Sequence, residues 1–144
     1  MRRPLIFAAL MLAACGNDDG TKVEHNPNKW VQTFDSLPGA LISVSGTAHD
    51  DVWAVGGNPG DGSGAFVLHF DGKWARKPTG HQVDLWWVHP IPGGPVFFGG
   101  SGGTILRYQN DTFEKMPTPD TATVFGIWGM AADDLWAVGG DPAK

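Results

Sequence analysis

The sequence predicts an all-β chain built from small, reiterated, four-stranded antiparallel sheets, and three observations carry that prediction. A stretch of 16 residues recurs without gaps, VSGTAHDDVWAVGGNP from Val44 matching IWGMAADDLWAVGGDP from Ile127. A second unit follows the double glycines, AFVLHFDGKW from Ala65 and GTILRYQNDTF from Gly103, each ending in an aromatic, Trp74 or Phe113. Finally, 21 glycines and 11 prolines punctuate a chain that carries seven Trp and eight Phe but no long apolar run after residue 14. Short strands joined by turns have that composition, whereas helices need longer uninterrupted stretches.

Taken from the N-terminus, the first element is a leader. Met1 to Ala14 opens with Arg2 and Arg3, continues through an apolar stretch from Leu5 to Leu12 and ends in small residues, the three parts of an export signal and too short to span a bilayer. Leu12, Ala13, Ala14 and Cys15 resemble the lipobox of bacterial lipoproteins. That resemblance implies cleavage before Cys15, a lipid on its thiol and anchoring by several acyl chains, since one chain binds only marginally. An ordinary cleaved signal with an incidental cysteine is the alternative. Gly16 follows the cysteine in place of the aspartate that resembles an inner-membrane retention signal, so the outer membrane is favoured. Residues 15–28 are polar and turn-rich and read as a flexible tether. Loss of Arg2 and Arg3 takes the net charge from −5 to about −7, which argues against a nucleic-acid partner. The single cysteine forms no internal disulfide, so stability rests on packing.

Residues 29–144 hold the repeats, divided at about 29–78, 79–117 and 118–144. Each copy shows what the architecture requires: Trp53 and Gly56-Gly57 in the first, Gly99-Gly100 in the second, and Trp136 and Gly139-Gly140 in the third. The middle copy, WVHPIPGGPVFFGG from Trp87, is the divergent one, and the offsets are 43 and 40 residues. Alternation predicts strands at about 41–46, 51–57, 65–71 and 73–78 in the first unit. Ile42 and Val44, Leu85 and Trp87, and Phe125 and Ile127 stand two apart and are expected on the buried side of an inner strand. The aromatic of NKWVQTF at Trp30 is expected to mark an outer strand preceding the first unit.

Four-stranded units of about 40 residues are the pattern of β-propeller blades, sheets that stack face to face. A β-sandwich or solenoid is the alternative. The apolar quartets followed by double glycine (Val52 to Gly57, Leu135 to Gly140), then Phe70 and Trp74, resemble a kelch-type repeat, although only three residues separate Phe70 from Trp74. The chain looks closer to DVWAVG-containing repeat lipoproteins of Gram-negative bacteria, a resemblance that covers residues 30–144. About eleven strands make two and a half blades against a minimum of four, so the expected ring is incomplete. A fragment of a longer lipoprotein is the preferred explanation, with assembly of several chains as the alternative.

No residue constellation rises to a catalytic site. Asp50 and Asp51 beside His49 read as turn residues, because the third copy has Ala132 at the histidine position. His69 stands where the next unit has Arg107, a position expected on a solvated face. The histidines are too scattered for a metal site, the GGSGG run at Gly99 reads as a hairpin, and Asn58 and Asp61 bring too few oxygens for calcium. His81, Asp84 and Trp86 are the candidate binding residues, with Trp86 as a gap-filler between sheets the alternative role. The sequence therefore leads us to expect a non-catalytic, cofactor-free module, moored to the membrane by its N-terminal lipid, whose loops bind protein or carbohydrate. The second reading is a glycoside hydrolase resembling the Asp-box sialidases. That family would need an arginine triad and a tyrosine nucleophile, and the exported part offers only Arg76, Arg107 and Tyr108.

Overall fold

In a computed structural model of the chain, residues 29–141 are described. The predicted leader, Cys15 and the tether lie outside them. The described residues contain ten strands and no helix. β1 (Leu41–Ala48), β2 (Asp51–Gly56), β3 (Phe66–Phe70) and β4 (Trp74–Arg76) form the first sheet. β5 (Leu85–Pro90), β6 (Val96–Gly100), β7 (Thr104–Gln109) and β8 (Thr112–Met116) form the second, and β9 (Thr123–Ala131) and β10 (Asp134–Gly140) pair as a hairpin. Every pairing is antiparallel and joins consecutive strands. Strand bounds in the first sheet fall within a few residues of those expected from alternation and glycine spacing.

The sheets stack in chain order, each presenting a forward face to the next sheet and a rear face to the one before. Trp53, Val55 and Val67 on the forward face of the first sheet form one core with Val88, Phe98 and Leu106 on the rear face of the second. Phe97 on the forward face of the second sheet meets Val124 and Ile127 on the rear face of the hairpin, with Ile105, Met116 and Leu135 packed around them. A third cluster, Ala54, Phe66 and Leu68 on the rear face of the first sheet, is covered by Phe34 and Leu37. Burying side chains of this size stabilises by about 1.5–3 kcal/mol each, so the faces rather than the strand edges hold the molecule together. Polar groups fix the register between sheets: Trp87 Nε1 donates to Ile127 O at 2.8 Å, and His89 Nε2 lies 2.9 Å from Gly129 O.

Three expectations are corrected. The repeat spacing is 44 and then 39 residues, because Gly56, Gly100 and Gly139 pair with Leu41, Leu85 and Val124. A Cβ on these glycines would lie 1.7 Å from Ala40 O, 2.5 Å from Asp84 O and 2.2 Å from Thr123 O, so each admits only glycine. In the middle copy the second glycine of the pair, not the first, has this role. The inner strands are also not simple alternations. Each carries a bulge beside its glycine, at Ile42, Trp86 and Phe125, and the extra residue shifts the phase. Leu85 and Ile127 are buried as expected, while Ile42, Val44, Trp87 and Phe125 are exposed. The third correction concerns residues 29–40, which contain no strand, and Trp30 is fully exposed. By repeat order an outer strand there would join the β9–β10 hairpin, which lies beyond the second sheet. The segment instead lays Phe34 and Leu37 across the rear of the first sheet, Phe34 meeting Trp74 edge-on at 5.8 Å. No closed ring forms among the described residues.

Candidate functional site

Asp51 opens β2 at the mouth between the first two sheets. Its carboxylate accepts hydrogen bonds from the Thr47 hydroxyl and from Trp53 Nε1 at 3.1 Å, and its Oδ1 lies 2.8 Å from His69 Nε2. The register explains the convergence. Trp53 follows Asp51 by two residues on the same face, and β2 pairs with β3 so that Trp53 stands opposite His69. Their rings stack with centroids 4.0 Å apart. Burial alone pushes the Asp51 carboxyl up, but the bonds from Thr47, His69 and Trp53 outweigh it and hold the group below the usual carboxylate value of 3.8.

Across the mouth, Tyr108 on β7 packs against Trp53 at 5.0 Å and Phe113 at 4.7 Å. Its hydroxyl donates to Asp111 Oδ1 at 2.6 Å, and Lys77 Nζ lies 3.5 Å from the same carboxylate and 5.7 Å from the Tyr108 ring centroid. Burial, followed by donation to Asp111, raises the Tyr108 phenol above 10.0. Asp111 is lowered by the Tyr108 and then the Lys77 bonds. Asn110 and Asp111 make the two-residue turn between β7 and β8 with φ of 52° and 57°, a geometry these residue types tolerate. Between the two groups lies a cleft of about 340 Å³, lined by Asp51, Trp53, Pro90, Ile91, Gly93, Gly94, Val96, Tyr108, Gln109 and Asn110. Gly93, Gly94, Gln109 and Asn110 are exposed at its rim, while Trp53 is buried behind it.

No family model, curated protein or solved structure matches the chain.

The residues singled out from sequence lie elsewhere. Asp84 Oδ1 accepts from the Asn58 amide at 2.8 Å, and His81 takes part through its backbone, accepting from the Ala65 amide and donating to Thr79 Oγ1. Both residues pin the β2–β3 loop to the β4–β5 connection. Trp86 occupies the bulge of β5, donates to Ser101 Oγ at 3.0 Å and meets Phe125 of the hairpin edge-on at 5.8 Å. It thus packs between sheets. His81, Asp84 and Trp86 do not line the cleft between Asp51 and Tyr108. Asp61 pairs with Arg76 at 2.5 Å and accepts from Ser63. The Arg76 bond, then those from Ser63, hold its carboxyl far below the usual range. Among the described residues no group of three or more His, Cys, Asp or Glu is placed to hold a metal.

Two readings of the sequence need revision at the site. Asp50 is an exposed turn residue as expected, but Asp51 ties β2 to β3 and to Thr47, at a second register shift near the end of β1. His69 does share the Arg107 position, since Gly56 pairs with Phe66 as Gly100 pairs with Thr104. It is sheltered against Trp53, however, while Arg107 pairs with Glu114 at 2.9 Å near solvent. A register count outward from the double glycine would have placed Trp53 opposite His69.

Proposed function

We propose that the chain is a non-catalytic β-propeller-type repeat module, held at the cell envelope by a lipid on Cys15, whose loops bind a carbohydrate or protein ligand. The observation that carries this reading is the division of labour in the cleft. The groups able to do acid or base chemistry, Asp51 and Tyr108, are committed to Thr47, Trp53, His69 and Asp111. The rim carries the exposed side-chain amides of Gln109 and Asn110 and the exposed backbone of Gly93, while the Gly94 amide is bonded to Ile91 O at 2.9 Å. Polar groups with open hydrogen-bonding capacity on loops held by a rigid sheet suit the holding of a polar ligand. Rear-on-forward stacking of similar sheets supports a propeller-type arrangement, the LAAC string ending at Cys15 supports the lipid anchor, and Gly16 after it supports the outer membrane.

Hydrolysis of a glycosidic bond uses two flanking carboxyl groups or an activated tyrosine. Among the described residues, Asp51 is the only carboxylate lining the cleft, Tyr108 is raised rather than activated, and Arg76 and Arg107 are paired with Asp61 and Glu114. Titration of the labelled chain with envelope oligosaccharides, followed by amide chemical shifts, tests the binding reading. We expect the shifts to cluster at Gln109, Asn110 and Gly93–Gly94, and Gln109→Ala to weaken binding by about tenfold, the value of one to two hydrogen bonds. Turnover of a fluorogenic glycoside, lost in Tyr108→Phe, would replace this reading with the hydrolase.

A further inference from the structure

The repeated interface leaves two of its halves uncovered, one at each end of the stack. On forward faces, Trp53, Phe97 and Trp136 occupy one position; Trp53 is 3% exposed and Phe97 0%, because the next sheet lies on them, whereas Trp136 is 70% exposed. On rear faces, Val44, Val88 and Ile127 occupy one position; Val88 is 1% and Ile127 4% exposed, whereas Val44 is 67%. Trp128, Val138 and Met130 extend the open forward face of the hairpin, with Asp134 on the same face at its end, where the first sheet has Asp51. Ile42 extends the open rear face of the first sheet, beside a groove of about 330 Å³ lined by Phe34, Leu41, Val44, Ala54 and Trp74.

We propose that these two faces meet each other in a second copy of the chain, head to tail, with β1 and β2 of one copy seated on β9 and β10 of the next. The pattern for that contact is already present twice within the chain. In both internal interfaces the inner strand of the following sheet, β5 or β9, supplies the apolar rear face. β1 is the third member of that series and still has its side free. The bulge residues agree: Trp86 meets Phe125 across one internal interface, and the same column extended by one copy brings exposed Phe125 to exposed Ile42. The segment carrying Phe34 and Leu37 covers the rear face from Ala54 on β2 across β3 and β4 and leaves Ile42 and Val44 of β1 exposed for the partner. Because the two surfaces differ, the contact is heterologous and propagates to a ring or a filament according to whether its rotation closes. Apolar side chains grouped on one face are the usual mark of such a surface.

Sedimentation velocity of the full chain carrying Cys15→Ser, which has neither thiol nor lipid, tests the proposal. At micromolar concentration the expected average mass is that of two chains or more, rising with concentration. Val44→Asp spoils only the rear face, and Trp136→Asp or Val138→Asp only the forward face, so each variant alone should sediment as a single chain. An equal mixture of a rear-face and a forward-face variant should form a pair and stop there, since each partner contributes its one intact face. A single-chain mass for the parent throughout would overturn the proposal and assign the faces to other sheets. Self-association of either variant by itself, or no pair in the mixture, would overturn the head-to-tail geometry.

Discussion

At the scale of the residue, Asp51 is the group on which most local polar structure converges. One carboxylate satisfies Thr47, Trp53 and His69, and its removal leaves those donors to water or to nothing. Hydrogen bonds to a charged group contribute about 1.5–3 kcal/mol when sheltered, and less at a site as open as this one. Asp51→Asn should therefore cost about 1 kcal/mol near neutrality, read from urea unfolding. The pH dependence has a definite sign. A carboxyl whose folded-state pKa is depressed contributes stability that is present above its unfolded value and lost as pH falls through the folded one. For Asp51, and for Asp61 and Asp111, which are lowered too, the loss sets in below the ordinary value of 3.8. Stability of the parent should fall as pH drops below that value, and the fall should be shallower in Asp51→Asn. Equal slopes for the two proteins would remove Asp51 from this role.

At the scale of the element, each inner hairpin depends on one glycine where the strands approach over a bulge. A methyl group at Gly56 would sit inside the Ala40 carbonyl, whereas at Gly57 it would meet only the Asp84 carboxylate, at 3.4 Å. Gly56→Ala should thus destabilise by about 2–4 kcal/mol or prevent folding, while Gly57→Ala should cost less than about 1 kcal/mol, by thermal unfolding. The pair also shows how much was legible in the sequence. Reiterated glycines and aromatics located the strands, because turn chemistry and alternation are local properties. The bulges were not legible, since one added residue swaps the inward and outward sides of the rest of the strand without changing composition. That hid the true spacing and put the bulge residues Ile42 and Phe125 on the buried side. Val44, by contrast, does hold the position of buried Val88 and Ile127 and is exposed because no other described sheet covers it. The Asp51–His69 contact spans 18 residues and exists only through the β2–β3 register, so a reading of adjacent residues saw a turn. The strand expected at Trp30 is absent because the segment packs its apolar side chains on the rear face of the first sheet instead of pairing along an edge. Of the site, His81, Asp84 and Trp86 proved to be loop and inter-sheet contacts, and the cleft is built from three hairpins that no single stretch of sequence displays.

At the scale of the whole molecule, order comes from similar sheets leaning on one another. The contrast between Trp53 and Trp136, equivalent in position but opposite in burial, shows that a sheet completes its core only when another covers it, as nearest-neighbour stabilisation of repeats requires. The most direct test is a nuclear Overhauser measurement on the methyl- and aromatic-labelled chain. Stacking predicts cross-peaks between the Trp53 and Phe98 rings, whose centroids lie 5.9 Å apart, and between the Trp87 indole proton and Ile127. If those contacts are missing, and β9–β10 instead shows strand-to-strand contacts along the edge of β8 or β4, the sheets run side by side and the stacked arrangement is wrong.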